Sequence, residues 1–331
     1  MGLAPFLQVE CCSPSGCSSL VRLRSKQWQG VCLMKWFRQW WTRLVRRLRR
    51  VRIPSEFVEG SFSNEAGARP YMLFIPTGDR ATPRPLLVML HGCKQNPLDF
   101  SRGTRMNEWG EKLGWYVLYP GQVATANRHG CWNWFSDVDQ RRGEGEPSII
   151  ADLTREVLRT QAIDRRRVFV AGLSAGGAMS AIMATTYPEL YAAVGIHSGL
   201  PYAAASDLVT ALRAMKLGLP DEGSASEVFV PTIVFHGDRD HVVHPRNGEE
   251  AITRSGSTPG FEVETGQVDR GRRYTRRIHI DESGACDAEH WVVHGAGHAW
   301  SGGDRAGSFT DPQGPDASRE MLRFFEEHPR A

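Results

Sequence analysis

The sequence contains no run of about 18 apolar residues, so it offers no candidate for a helix that crosses a bilayer. It also lacks the basic start, apolar run and small-residue site that together mark a cleavable export signal. Cysteine is sparse and badly placed for a metal. Cys11, Cys12, Cys17 and Cys32 lie among Ser, Gly and Pro without periodicity, and their spacing does not match a zinc site, which would also need nearby histidines.

What is present divides unevenly. The 331 residues are 41% hydrophobic, enough for one large domain with a substantial core or for two small ones. The overall charge of +3 hides a contrast: residues 1–55 carry 11 Lys or Arg against Glu10 alone, and the remainder is net acidic. Residues 1–33 read as a disordered leader or an upstream extension, with Met34 as an alternative start. Residues 34–53 read as a basic amphipathic helix, with Trp36, Phe37, Trp40, Trp41, Leu44, Leu48 and Val51 on one half and Lys35, Arg38, Arg46, Arg49 and Arg50 on the other. That pattern suits adsorption to an anionic membrane or granule surface; a nucleic-acid contact or docking on the chain's own body are the alternatives. A catalytic body is expected over 56–331.

The body is organised around RVFVAGLSAGGAMSAIMATTY. Val168 to Ala171 is an apolar run suited to a buried parallel strand, and from Ala178 the apolar residues recur at helical spacing. Ser174 therefore falls on a sharp strand-to-helix turn, where Gly172 and Gly176 let the backbone fold back against its neighbours. Such a turn exposes a nucleophile at the carboxyl edge of a sheet and aims the Ala175 N–H at developing negative charge. A second strand, Leu86 to Leu90, ends in His91-Gly92-Cys93, which makes the Cys93 N–H the other half of an oxyanion hole.

Further along, Pro97 to Leu113 reads as one helix and Gly121 to Pro147 as a long loop. That loop holds Cys131-Trp132-Asn133-Trp134-Phe135, whose aromatics either line a substrate crevice or pin the loop to the body. Cys93 and Cys131 both belong to loops that reach the same rim, as a disulfide pair or as two buried thiols. The strand Thr232 to Phe235 ends in His236-Gly237-Asp238-Arg239-Asp240. Asp240, deeper in the loop, is the preferred acid, and Asp238 is expected to orient the loop through backbone hydrogen bonds. His298, after Gly297, is the expected general base, with His294 and His197 read as structural. The order Ser174, Asp240, His298 is the order that an α/β-hydrolase topology requires. Trp134 and Trp300 are candidates to pack against an acyl or polymer chain.

Taken together, LHGCKQNPLDF, CWNWF, GLSAGGAMSA, IHSGLPY, VFHGDRDHVVHPRNGE and HGAGHAWSGG resemble the polyhydroxybutyrate depolymerase-type esterases, relatives of feruloyl and acetylxylan esterases, over about residues 56–328. The resemblance implies an α/β-hydrolase fold with helices on both faces of a mostly parallel sheet and no large lid domain. It implies a serine esterase with no metal and no organic cofactor, a triad on Ser174, Asp240 and His298, and a polyester or small ester as substrate. Nucleic acid is not expected as a partner. Many such proteins belong to the extracellular region. The competing expectations are a feruloyl or acetylxylan esterase on the same triad, and a granule- or membrane-binding protein whose pocket is inactive.

Overall fold

The computed structural model describes residues 53–219, 229–256, 260–281 and 284–330, so the basic stretch at 34–52 lies outside the described residues. Two strands open the body as a meander, β1 (Glu56–Asn64) and β2 (Gly67–Ile75), paired antiparallel. The chain then alternates strand and helix through β3 (Arg84–Leu90), α1 (Pro97–Thr104), α2 (Met106–Leu113), β4 (Tyr116–Pro120), α3 (Gly145–Thr160), β5 (Ile163–Leu173), α4 (Ala175–Thr186), β6 (Ala193–His197), α5 (Leu208–Leu217), β7 (Thr232–Gly237) and α6 (Arg246–Arg254). It ends with β8 (Phe261–Gln267), β9 (Arg273–Ile280), β10 (Cys286–Val293), a two-residue pair β11 (Trp300–Ser301) and β12 (Thr310–Asp311), and α7 (Ala317–Glu327).

Among the described residues, ten strands form one sheet in the order β1-β2-β4-β3-β5-β6-β7-β10-β9-β8. From β4 to β10 neighbouring strands run parallel, and antiparallel pairs close both ends. A strand covered on both faces must be apolar on both, and the central strands are. Leu86, Val88 and Leu90 of β3 join one apolar layer with Val168 and Val170 of β5, while Leu87 and Met89 join the opposite layer with Phe169, Ala171 and Leu173. The first layer is completed by apolar residues of α3, α4, α5 and α6, the second by those of α1, α2 and α7. In the second layer Phe169 stacks between Trp115 and Phe325, with ring centroids 5.3 and 4.9 Å away. Both helical layers thereby hold the strand that delivers Ser174.

Three local expectations are corrected. The segment from Pro97 to Leu113 is two helices, because Arg105 adopts a left-handed backbone (φ 55°) and its N–H bonds back to the Arg102 carbonyl. In the last turn of the first helix the Thr104 hydroxyl bonds to the Phe100 carbonyl at 2.8 Å, and Arg105 pairs with Glu108 in the next helix. The long loop after Gly121 stops at Glu144, since α3 begins at Gly145, and it contains a short 3₁₀ turn at Asp137–Gln140. Finally, α6 was not anticipated: its residues RNGEEAITR bury Asn247, Gly248 and Glu250 along with Ala251 and Ile252, so its inward face is not an apolar stripe.

Candidate active site

The register of the sheet brings the relevant strand ends into one row. Leu173 lies opposite His197, His197 opposite Phe235, and Phe235 opposite Trp291, so β5, β6, β7 and β10 finish side by side. Ser174 follows Leu173 directly and has φ 58° and ψ −119°, a conformation that a residue with a side chain adopts only under constraint. The constraint is visible. The Ser174 N–H donates to the His197 carbonyl at 2.9 Å, and the Ser174 carbonyl accepts from Ala178 N–H at 2.9 Å to start α4. A Cβ at Gly172 would stand 2.4 Å from the Gly176 carbonyl, and one at Gly176 would stand 2.0 Å from the Leu90 oxygen. Both positions are closed to any side chain.

The loop after β3 approaches the same point, since a Cβ at Gly92 would lie 3.6 Å from the Ser174 Cβ. Gly92 N–H is held by Gln95 Oε1 at 3.0 Å. Among the described residues, the Cys93 and Ala175 N–H groups take no part in the hydrogen bonds that hold the two turns. The segment 127–135 braces this loop: a disulfide joins Cys93 to Cys131, Lys94 N–H donates to the His129 carbonyl at 2.8 Å, and the Trp132 indole N–H donates to the His91 carbonyl at 3.1 Å. His91 accepts the Gln122 N–H on Nε2 and bonds the Gly92 carbonyl through Nδ1, which fixes the Nδ1–H tautomer. Complete burial pushes its pKa down to about 4. Beneath the segment, buried Glu146 accepts from Asn133, Gln122 and Arg69. Burial and the neighbouring Asp139 raise the Glu146 pKa. No local pattern around Glu146 marks this carboxylate in advance.

The loop after β7 holds two carboxylates with separate partners. Asp240 Oδ1 accepts the N–H groups of Val242 and Val243, both at 2.9 Å, and Oδ2 faces His298 Nδ1 at 2.7 Å. His236 Nε2 lies 3.5 Å from the same Oδ2. Burial works to raise the Asp240 carboxyl, but the His236 and His298 imidazoles outweigh it and hold it well below the usual carboxylate range. Asp238, half exposed, accepts the Gly295 N–H and faces His294 Nδ1 at 2.9 Å; the other His294 nitrogen meets Thr275 Oγ1.

His298 reaches Asp240 because its loop turns back across the sheet. The Ala296 carbonyl accepts Arg239 N–H at 3.0 Å above the end of β7, and Ser301 N–H donates to His197 Nε2 at 2.9 Å above β6. Since the His197 carbonyl holds Ser174 N–H, the loop carrying His298 is tied to the turn carrying Ser174 through one residue. His197 is a scaffold residue, stacked against Trp300 and Phe235, and burial keeps its pKa well below the ordinary value.

The structure does not offer the two tryptophans to a substrate. Trp300 is 1% exposed, stacked on His197 with its indole N–H bonded to Ser318 Oγ at 3.0 Å. Trp134 is 5% exposed and lies in the apolar layer under the loop, edge-on to Phe135. Of the two roles open to the CWNWF aromatics, pinning the loop is the one seen. Among the described residues, no group of three His, Cys, Asp or Glu is arranged to hold a metal ion.

A family model described as esterase PHB depolymerase matches residues 69–276, a span that takes in Ser174 and Asp240 and ends before His298. Poly(3-hydroxyalkanoate) depolymerase C of Paucimonas lemoignei is 28% identical over 250 residues, covering 72% of this chain and 60% of its own length. Feruloyl esterase B of Neurospora crassa is 29% identical over 219 residues, 60% of this chain and 73% of its own. The chain thus spans about three fifths of the depolymerase it matches. Among solved structures, an acetyl xylan esterase from Aspergillus awamori shares the fold with a TM-score of 0.63 at 19% identity, over 83% of this chain and all of that one. A ferulic acid esterase does so at 0.52 and 16%, over 83% and 98%. With the family match covering well over half of its length, the chain belongs to the PHB depolymerase esterase family.

Proposed function

We propose that the protein is a serine ester hydrolase that works through an acyl-enzyme on Ser174, Asp240 and His298. The observation that carries the reading is the buried Asp240–His298 pair. With His298 Nδ1 on Asp240 and Asp240 Oδ1 held by two amides, the imidazole is fixed in the tautomer whose Nε2 accepts a proton. That nitrogen takes the Ser174 proton as Oγ attacks the ester carbonyl. The Cys93 and Ala175 N–H groups receive the oxyanion, protonated His298 releases the alcohol, and water repeats the sequence on the acyl-enzyme.

The relatives support a choice of substrate class. A poly(3-hydroxyalkanoate) depolymerase and a poly(3-hydroxybutyrate) depolymerase both match, which favours oligomers of a 3-hydroxy acid together with short acyl esters. The feruloyl and acetylxylan esterases make plant-polysaccharide esters the competing class. The basic stretch at 34–52 is proposed to adsorb the enzyme to a granule or membrane surface, on the strength of its amphipathic pattern alone.

A panel of p-nitrophenyl butyrate, 3-hydroxybutyrate oligomers, feruloylated sugars and acetylated xylan tests the assignment. Turnover of the hydroxybutyrate oligomers is expected, and turnover of sugar esters alone would overturn the polyester reading. Removing residues 1–52 is expected to leave p-nitrophenyl butyrate hydrolysis in place and to reduce binding to polyester particles; unchanged binding would overturn the proposed role of that stretch.

A further inference from the structure

We infer that His236 is a positioning residue for the Asp240–His298 pair, an imidazole N–H that clamps the turn carrying the triad carboxylate. The inference rests on the reading of Ser174, Asp240 and His298 given above.

His236 is the penultimate residue of β7 and is 1% exposed. Its Nε2 lies 2.9 Å from the Val243 carbonyl oxygen and 3.5 Å from Asp240 Oδ2. Both neighbours are acceptors, so the ring proton belongs on Nε2. The shorter contact is the hydrogen bond, and the longer one places the same N–H dipole against the carboxylate. The result is a closed circuit. Asp240 Oδ1 accepts Val243 N–H at 2.9 Å, the Val243 carbonyl accepts from His236, and His236 faces the other Asp240 oxygen. Val243 is thus held on both its polar groups, and the carboxylate cannot rotate without breaking a bond on one side or the other. The oxygen that His236 faces is the one that His298 uses.

The rest of the ring shows what the imidazole is not there for. Its Nδ1 is buried with no hydrogen-bond partner among the described residues, as is His290 Nε2 on neighbouring β10. Both nitrogens border Gly248 of α6, where an added Cβ would stand 2.8 Å from His236 Nδ1 and 3.2 Å from His290 Nε2. An apolar side chain would fill this slot without leaving a buried nitrogen unpaired, which costs stability. What such a side chain lacks is the N–H on the Asp240 turn.

The test compares His236→Leu with His236→Gln, whose amide N–H reaches about as far as Nε2, using p-nitrophenyl butyrate and the full chain. His236→Leu is expected to lower kcat on the order of 10–100-fold with KM within about twofold, because a loosened base costs the transition state and not substrate binding. His236→Gln is expected to recover to within about threefold of the native kcat. Should the leucine variant not fold, as judged by circular dichroism, His236→Met takes its place. Native kcat in the leucine or methionine variant overturns the inference, and so does an equal loss in all variants, which marks a purely structural residue. Ser174→Ala separates the two levels: its inactivity beside a fully active His236→Leu defeats this inference alone, and its retention of activity defeats both.

Discussion

Asp240 and His298, 58 positions apart in the chain, meet at 2.7 Å with the Asp240 side chain wholly buried, whereas Asp238 holds His294 at 2.9 Å with both side chains more than a third exposed. The two pairs leave the same strand end, and only the first is shielded from water. A carboxylate in that setting fixes a tautomer and stabilises the imidazolium that forms as the proton moves. Asp240→Asn is therefore expected to lower kcat by about 10⁴-fold, and Asp238→Asn by less than about tenfold. Steady-state kinetics on p-nitrophenyl butyrate separates them, and equal losses would assign the acid wrongly.

The disulfide between Cys93 and Cys131 closes a loop with a sequence separation of 38. The chain-entropy relation gives about 4 kcal/mol for a loop of that size. A Cys93→Ser/Cys131→Ser double variant is expected to lose about that much unfolding free energy in a urea titration. Its kcat/KM is also expected to fall by up to about 10²–10³, since the bridge fixes the loop that presents the Cys93 N–H. Native stability and activity in the double variant would remove both roles.

The turn that carries Ser174 was legible in the sequence, for a steric reason. Gly172 and Gly176 are demanded by backbone approaches of 2.4 and 2.0 Å, and such demands leave a local mark. The apolar strands around them read directly, because a strand buried on both faces has no polar positions to disguise it. What did not read left no local pattern. Nothing in SRGTR announces the left-handed Arg105 between α1 and α2, and α6 turns Asn247, Gly248 and Glu250 inward among Ala251 and Ile252. Trp300 shows why aromatics near a site are ambiguous. Whether an indole meets substrate or the core depends on how the loop folds back over His197, which sequence spacing does not encode.

Gly176→Ala tests the steric part of this account. Its added methyl would meet the Leu90 oxygen at 2.0 Å, and that oxygen belongs to a central strand unable to yield. A loss of more than about 3 kcal/mol, or failure to fold, is expected. A stable, active Gly176→Ala enzyme would mean that the turn is looser than described.

Acid stability follows from the buried imidazoles. Burial depresses the His91 pKa from 6.5 to about 4 and that of His290 to about 3. The unfolded chain binds protons at these residues below about pH 6.5 while the folded chain resists them, so stability is present above 6.5 and falls as the pH drops toward 4. At roughly 1.4 kcal/mol per pH unit, His91 alone is worth about 3 kcal/mol over that window. Urea unfolding between pH 4 and 7 is expected to show the decline, and His91→Asn to flatten it by about that share. A native slope in the variant would contradict the assignment.

The proposed chemistry requires Ser174 to be a nucleophile activated by His298. Intact-mass and peptide mass spectrometry after treatment with an organophosphonate ester measures it directly. One adduct per chain, on Ser174, is expected in the native protein, with labelling slowed to background in His298→Ala. An adduct on another residue, or labelling of Ser174 at the native rate without His298, would contradict it.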